Sequence, residues 1–147
     1  MKKFFVGVKG VIIDPELGVL LIKHAIGYWD VPGGRLDDDE DLEQGLRREL
    51  QEELPGCIVQ AVGEQIGAFR VHKDIKDDIS LVIIFFIVQV TLPSELILSD
   101  EHTEYIWVRN QEEIPKKMDP GMQKIVAKAL QKIQKQINID KSTISML

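Results

Sequence analysis

Residues 33–56, GGRLDDDEDLEQGLRRELQEELPG, constrain the fold of this chain more than any other stretch. Pro32-Gly33-Gly34 reads as a tight bend, and residues 37–41 as an acidic loop. Leu42, Leu46, Leu50 and Leu54 then recur at helical spacing, which predicts a helix with one apolar stripe. Asp41 with Gln44 three residues on is a capping-box pattern that starts this helix, and Pro55-Gly56 stops it. Glu49, Glu52 and Glu53 stand at i, i+3 and i+4. At ~100° per residue they share one arc about 100° wide, roughly a quarter turn from the leucines. Like charges held so close repel unless a cation lies among them, so this face asks for a metal ion.

The remaining chain supplies a frame for that helix. Residues 4–13 and 19–22, rich in Phe, Val, Ile and Leu, predict two strands joined as a hairpin by Asp14-Pro15-Glu16-Leu17-Gly18. Residues 25–30 read as a loop carrying Tyr28 and Trp29. Residues 57–70 and 79–90 are further strands, separated by an exposed charged linker at 71–78, and 105–108 is a short one. Residues 111–117 allow a helical turn or two. Asp119-Pro120 opens a second amphipathic helix with Met122, Ile125, Val126, Ala129, Leu130, Ile133 and Ile137 on one face. Strands interleaved with two one-faced helices imply an α/β fold whose sheet is covered on both sides.

The whole chain, 147 residues, suits one domain with one core, its tail from about residue 138 lacking periodicity and free to fray. No apolar run reaches membrane-spanning length, and Met1-Lys2-Lys3-Phe4-Phe5 lacks the features of a signal peptide. Cys57 is the lone cysteine, which suits a reducing compartment and makes the cytoplasm the expected location. A net charge of −6 argues against a nucleic-acid polymer as partner. A small phosphorylated substrate stays open, because bound cations reverse the local sign.

Gly34, five residues, Glu40, seven residues, then Arg48-Glu49-Leu50-Gln51-Glu52-Glu53 resembles the box of the Nudix hydrolase family, in its MutT-like form. The resemblance spans most of the chain, with the hairpin and Trp29 before the box and residues 101–107 after it. One departure is Pro55, where the family usually places glycine. The resemblance implies an α/β/α sandwich around a mixed sheet, with the box as loop-helix-loop. It implies hydrolysis of a phosphoanhydride in a nucleoside diphosphate-linked compound, with Mg²⁺ or Mn²⁺ bound. The metal ligands it implies are the Gly33 carbonyl, Glu49, Glu52 and Glu53, joined by a downstream acid, for which Glu104 comes first and Glu101 second. Arg48 would orient a box glutamate, Glu40 would support the loop, and Glu53 and Glu49 both stand as candidates for the general base. Trp29, Arg35, Lys23 and Arg70 are candidates for substrate contact, each with an ordinary alternative in core packing or surface charge. Phe69 and His72 read as strand end and surface, and His24 and His102 as structural or exposed, with action on substrate the alternative for His102, which lies beside the candidate ligand. Family members are often dimers, although no exposed apolar stripe here demands it.

Residues 37–48 do not form a calcium loop, since the sixth position is Leu42 and the twelfth Arg48. Residues 71–74 carry neither the proline of ADP-ribose pyrophosphatases nor the tyrosine of dinucleoside polyphosphate hydrolases. No counterpart is evident around residues 120–123 for the asparagine with which MutT-like enzymes read oxidised guanine. The leading expectation is a MutT-like nucleoside triphosphate pyrophosphohydrolase. One alternative is a nucleotide-sugar hydrolase of the GDP-mannose type, whose box glutamates are lost where this chain keeps Glu49 and Glu52. The other is a non-catalytic nucleotide-binding domain, against which the retained glutamates argue.

Overall fold

The structure, a computed structural model, describes residues 1–145; Met146 and Leu147, the end of the aperiodic tail, lie outside the described residues. The two apolar runs near the N-terminus become β1 (Lys3–Asp14) and β2 (Gly18–His24). Both are buried on two faces through their centres, as near-continuous hydrophobic strands require. β3 (Trp29–Asp30) and β4 (Gly33–Arg35) follow, then α1 (Leu42–Glu53), β5 (Ile58–Arg70), β6 (Ile79–Thr91) and β7 (His102–Val108). A 3-10 turn at Gln111–Glu113 precedes α2 (Pro120–Ser145).

The seven strands form a mixed sheet in the order β3-β2-β1-β6-β5, with β4 paired to β1 and β7 to β2. β1 and β6 run parallel over ten register pairs, from Lys3↔Ile79 to Ile12↔Val88. The expected β1–β2 hairpin is present but short, pairing only Ile13↔Val19 and Asp14↔Gly18 before the strands diverge. That divergence opens β1 to β4, whose three residues pair with Gly7, Val8 and Lys9.

One helix covers each face, giving the α/β/α sandwich. Leu46 and Leu50 of α1, with Leu54 at its C-cap, pack with Val8, Ile12, Leu20 and Ile22. Gly10 leaves the room for this, since a Cβ there would stand 3.1 Å from a Leu50 methyl. On the opposite face Met122, Ile125, Val126, Ala129 and Leu130 of α2 pack with residues such as Val11, Leu21 and Phe85. α2 continues past the expected end of its stripe to Ser145, with residues 138–145 exposed. Among the described residues no helix is long and apolar enough to cross a membrane.

Candidate active site

α1 begins where its cap dictates. The Asp41 side chain accepts the Gln44 backbone N–H at 2.8 Å, and the Gln44 side chain accepts the Asp41 N–H at 3.0 Å. With Leu46, Leu50 and Leu54 turned into the sheet and Leu42, expected on the same stripe, left exposed at the first turn, Glu49, Glu52 and Glu53 come to the rim beside β4. They line a cleft of about 470 Å³ with Gly33, Gly34, Arg35, Ser99, Asp100 and Glu101.

Two glycines bring the backbone into that cleft. Gly33 has φ +143°, and a Cβ there would strike Val8 O and the Lys9 main chain. A Cβ on Gly34 would collide with the Glu49 carboxylate. The Gly33 N–H donates to Glu53 Oε1 at 2.6 Å. Arg48 gathers the loop and helix from below. Its Nε and Nη2 donate to the two Glu40 oxygens at 2.6 and 2.8 Å, a bidentate pair, and Nη2 also donates to Arg35 O. Nη1 donates to Glu49 Oε1 at 3.0 Å and reaches Glu52 at 3.3 Å. Hydrogen bonding from Arg48 holds Glu40 down to about 2 and raises the guanidinium itself.

Glu53 differs from its neighbours. Its side chain is only 11% exposed, and burial pushes the carboxyl up to about 7 against the opposing pull of Lys9 and the Gly33 N–H. Burial raises Glu49 as well, with Arg48 counteracting. Lys9 is itself buried. Its Nζ donates to Val31 O at 3.0 Å and pairs with Asp30 Oδ1 at 3.0 Å. Burial alone would lower this lysine, but Asp30 and then Glu53 hold it raised. His102 Nε2 lies 3.6 Å from Glu53 Oε2, and Glu53, Glu101 and His102 offer ligand atoms within 4.8 Å of one another. Burial lowers the His102 pKa, which favours neutral imidazole.

A second pocket of about 320 Å³ opens on the α2 side and shares Gly34 and Arg35 with the acidic cleft. Trp29, Phe69, Asp30, Lys9, Asp119 and Met122 are among its walls. Phe69 stacks on Phe85 with centroids 5.5 Å apart. Asp119 caps α2 through Oδ1, which accepts the Gly121 N–H at 2.8 Å.

The expected residues separate in space. Gly33, Glu49, Glu52 and Glu53 converge on the acidic cleft with Arg48 behind them, Trp29 faces the second pocket, and Arg35 serves both. Glu101, the second-ranked downstream acid, lines the cleft. Glu104 instead pairs with Lys23 across β2 and β7 at 3.2 Å, and Lys23 lies 5.8 Å over the Trp29 ring. Arg70 lies outside both clefts, donating to Ser80 Oγ at 2.9 Å with its guanidinium over Phe4. Sequence reasoning singled out Asp119 only as a helix cap and did not single out Lys9, Asp30 or Ser99. Of the residues not singled out, Lys9 left a signal, as the one charge inside an apolar strand.

Hard oxygen donors crowded around one cleft fit a small divalent cation better than any softer metal. The family model for the NUDIX domain matches residues 3–129. Over 56 residues the chain is 46% identical to the 8-oxo-dGTP diphosphatase of Proteus vulgaris, a match covering 35% of this chain and 50% of that protein. It is 28% identical over 95 residues to the nucleoside triphosphatase NudI of Salmonella arizonae, covering 58% and 64% respectively. The chain thus spans between half and two thirds of the length of these curated relatives. The crystal structure of the MutT protein from Methanosarcina mazei Go1 aligns with a TM-score of 0.72 at 24% identity, over 92% of this chain and 96% of that one. At that identity the likeness is one of fold.

Proposed function

The chain belongs to the Nudix family, and from that membership we propose that it is a divalent-cation-dependent pyrophosphohydrolase acting on nucleoside triphosphates. One observation carries the reading: an acidic cleft, lined by Glu49, Glu52, Glu53 and Glu101, runs into an aromatic pocket through Gly34 and Arg35. The first suits cations and phosphates, and the second suits a base. The relatives named above, an 8-oxo-dGTP diphosphatase and a nucleoside triphosphatase, support a nucleotide substrate.

The box glutamates, Glu101 and the Gly33 carbonyl would hold the cations, with Mg²⁺ the expected ion and Mn²⁺ a competent replacement. Bound there, the cations neutralise phosphate charge and acidify water. Glu53 is the group best placed to accept the proton of the attacking water. Glu49 is tied at 3.0 Å to Arg48, which makes it the weaker base, whereas Glu53 accepts the uncharged Gly33 N–H. Arg35 lines both pockets, its guanidinium 5.3 Å over the Phe5 ring, and would pair with a phosphate oxygen. Trp29 and Phe69 would flank the base, and the Asp30 and Asp119 carboxylates favour a base edge that presents N–H donors. We place the protein in the cytoplasm, in keeping with its one free, buried cysteine, Cys57.

The test is a panel of nucleoside triphosphates, nucleotide sugars and dinucleotides incubated with Mg²⁺ or Mn²⁺ in ¹⁸O-labelled water. The expected products are a nucleoside monophosphate and pyrophosphate, with label on phosphorus. Label on a sugar carbon, or no product from any nucleotide, would overturn the reading.

A further inference from the structure

Glu53 is flanked on both oxygens, and only one flank belongs to the box. Oε1 accepts the Gly33 N–H at 2.6 Å. Oε2 faces His102 Nε2 at 3.6 Å, and the His102 side chain is 1% exposed. The other ring nitrogen, Nδ1, lies 3.2 Å from Ser99 Oγ. The same short loop is tied to the helix end through the backbone: the Ser99 N–H donates to Glu53 O at 3.1 Å, and the His102 N–H donates to Ser99 O at 3.1 Å. Behind the imidazole, the His24 ring meets it edge-on at 5.6 Å and is itself stacked on Tyr28. The imidazole is thus held at Nδ1 by Ser99 and packed edge-on by His24, while Nε2 faces Glu53 Oε2, with the Glu101 carboxylate also nearby.

We propose that His102 is a positioning residue that fixes the Glu53 carboxylate for cation binding, with Ser99 fixing the ring in turn. A neutral imidazole carries one N–H. If the Ser99 hydroxyl donates to Nδ1, that N–H sits on Nε2 and points at Glu53 Oε2. Glu53 then accepts the Gly33 N–H at Oε1 and faces the imidazole N–H across 3.6 Å at Oε2, a gap longer than a hydrogen bond that a small ring movement would close. A partner of this kind keeps a ligand from rotating away before the cation arrives, which is the usual service of groups behind a metal ligand. The proposal rests on the reading above only in treating Glu53 as a cation ligand.

The test compares His102→Gln, whose amide N–H falls near Nε2, with His102→Asn, whose amide falls near Nδ1 and leaves Oε2 alone. The readout is Mn²⁺ binding to nucleotide-free protein by electron paramagnetic resonance, followed by kcat and KM. The asparagine variant is expected to lose about 10- to 100-fold in Mn²⁺ affinity and in kcat, with KM for nucleotide unchanged. The glutamine variant should recover most of both, a rescue that loss of packing alone would not produce. Ser99→Ala should shift Mn²⁺ affinity in the same direction by less, and it decides the matter if neither His102 variant folds. Wild-type Mn²⁺ affinity in His102→Asn, or in Ser99→Ala where that variant decides, would overturn the proposal. So would nitrogen hyperfine coupling from His102 on the bound Mn²⁺, which would make it a direct ligand. Wild-type protein that binds Mn²⁺ but hydrolyses no nucleotide would instead overturn the function and leave this proposal standing.

Discussion

A carboxylate with 11% of its side chain exposed must be protonated or well partnered, and Glu53 is in part both. Burial raises its pKa to about 7 in the absence of a cation. Below about pH 4.5 the group is protonated in folded and unfolded chains alike, so it costs nothing. Between there and about pH 7 the unfolded chain releases the proton while the folded one retains it, so stability falls as pH rises. Above the folded value the whole cost, on the order of 3 kcal/mol, is present. Glu53→Gln should therefore raise the thermal midpoint of cation-free protein at pH 8 and leave it unchanged at pH 4. Turnover should fall about 10²- to 10⁴-fold in the same variant. Paired melts at the two pH values with EDTA, and a Mg²⁺ assay, check both halves; equal midpoints at pH 8 would remove the burial cost. The three box glutamates were legible because helix spacing alone puts them on one arc. Glu101 and Glu104 were not separable that way, because the choice depends on β7 beginning at His102. The strand register sets Glu104 opposite Lys23 and leaves Glu101 in the turn at the cleft. Lys9, Asp30 and Asp119 owe their places to burial and to chain segments far apart in sequence, which no local spacing encodes.

At the scale of elements, α1 separates two jobs between its ends. Its N-terminal cap stabilises the helix, while its C-terminal half carries the cleft carboxylates Glu49, Glu52 and Glu53 beside β4. Asp41→Ala removes the acceptor for the Gln44 N–H and should cost about 1 kcal/mol, with little change in turnover. Gly34→Ala should do the reverse, because its methyl group would meet the Glu49 carboxylate while the apolar stripe stays intact. Thermal melts and Mg²⁺-dependent rates measured on both variants would show the crossing pattern, and a Gly34→Ala protein of wild-type rate would sink it. α1 itself was readable to the residue at its start, since the capping box states where it begins. β3 and β4 were not. Two and three residues long, they become strands only because the diverging β1–β2 hairpin leaves β1 free to pair with Gly33 to Arg35, and β2 free to pair with Trp29 and Asp30. The same blindness applies to the far end of α2, whose last residues lack an apolar face yet continue the helix to Ser145.

The molecule as a whole places its two pockets against different layers. The acidic cleft belongs to the α1 side and the aromatic pocket to the α2 side, and the residues from Asp30 to Arg35 pass between them. Lys9 sits at this crossing, reaching Val31 O and Asp30 while its charge bears on Glu53. The fold class and the acidic helix could be read in advance because periodicity reports which faces are buried. The shape of the second pocket could not, since Trp29, Phe69 and Asp119 meet only after the sheet has formed. If cation binding and base binding are divided between layers in this way, they should fail separately. Trp29→Leu keeps an apolar side chain but loses most of the stacking surface, and an aromatic base contact is worth ~1–3 kcal/mol. The expected result is a rise of about tenfold or more in KM for the nucleotide, with kcat and the Mn²⁺ affinity of nucleotide-free protein unchanged. Steady-state kinetics beside a Mn²⁺ titration measure the three quantities on one preparation. A fall in Mn²⁺ affinity would mean that the pockets act as one, and an unchanged KM would move the base away from Trp29.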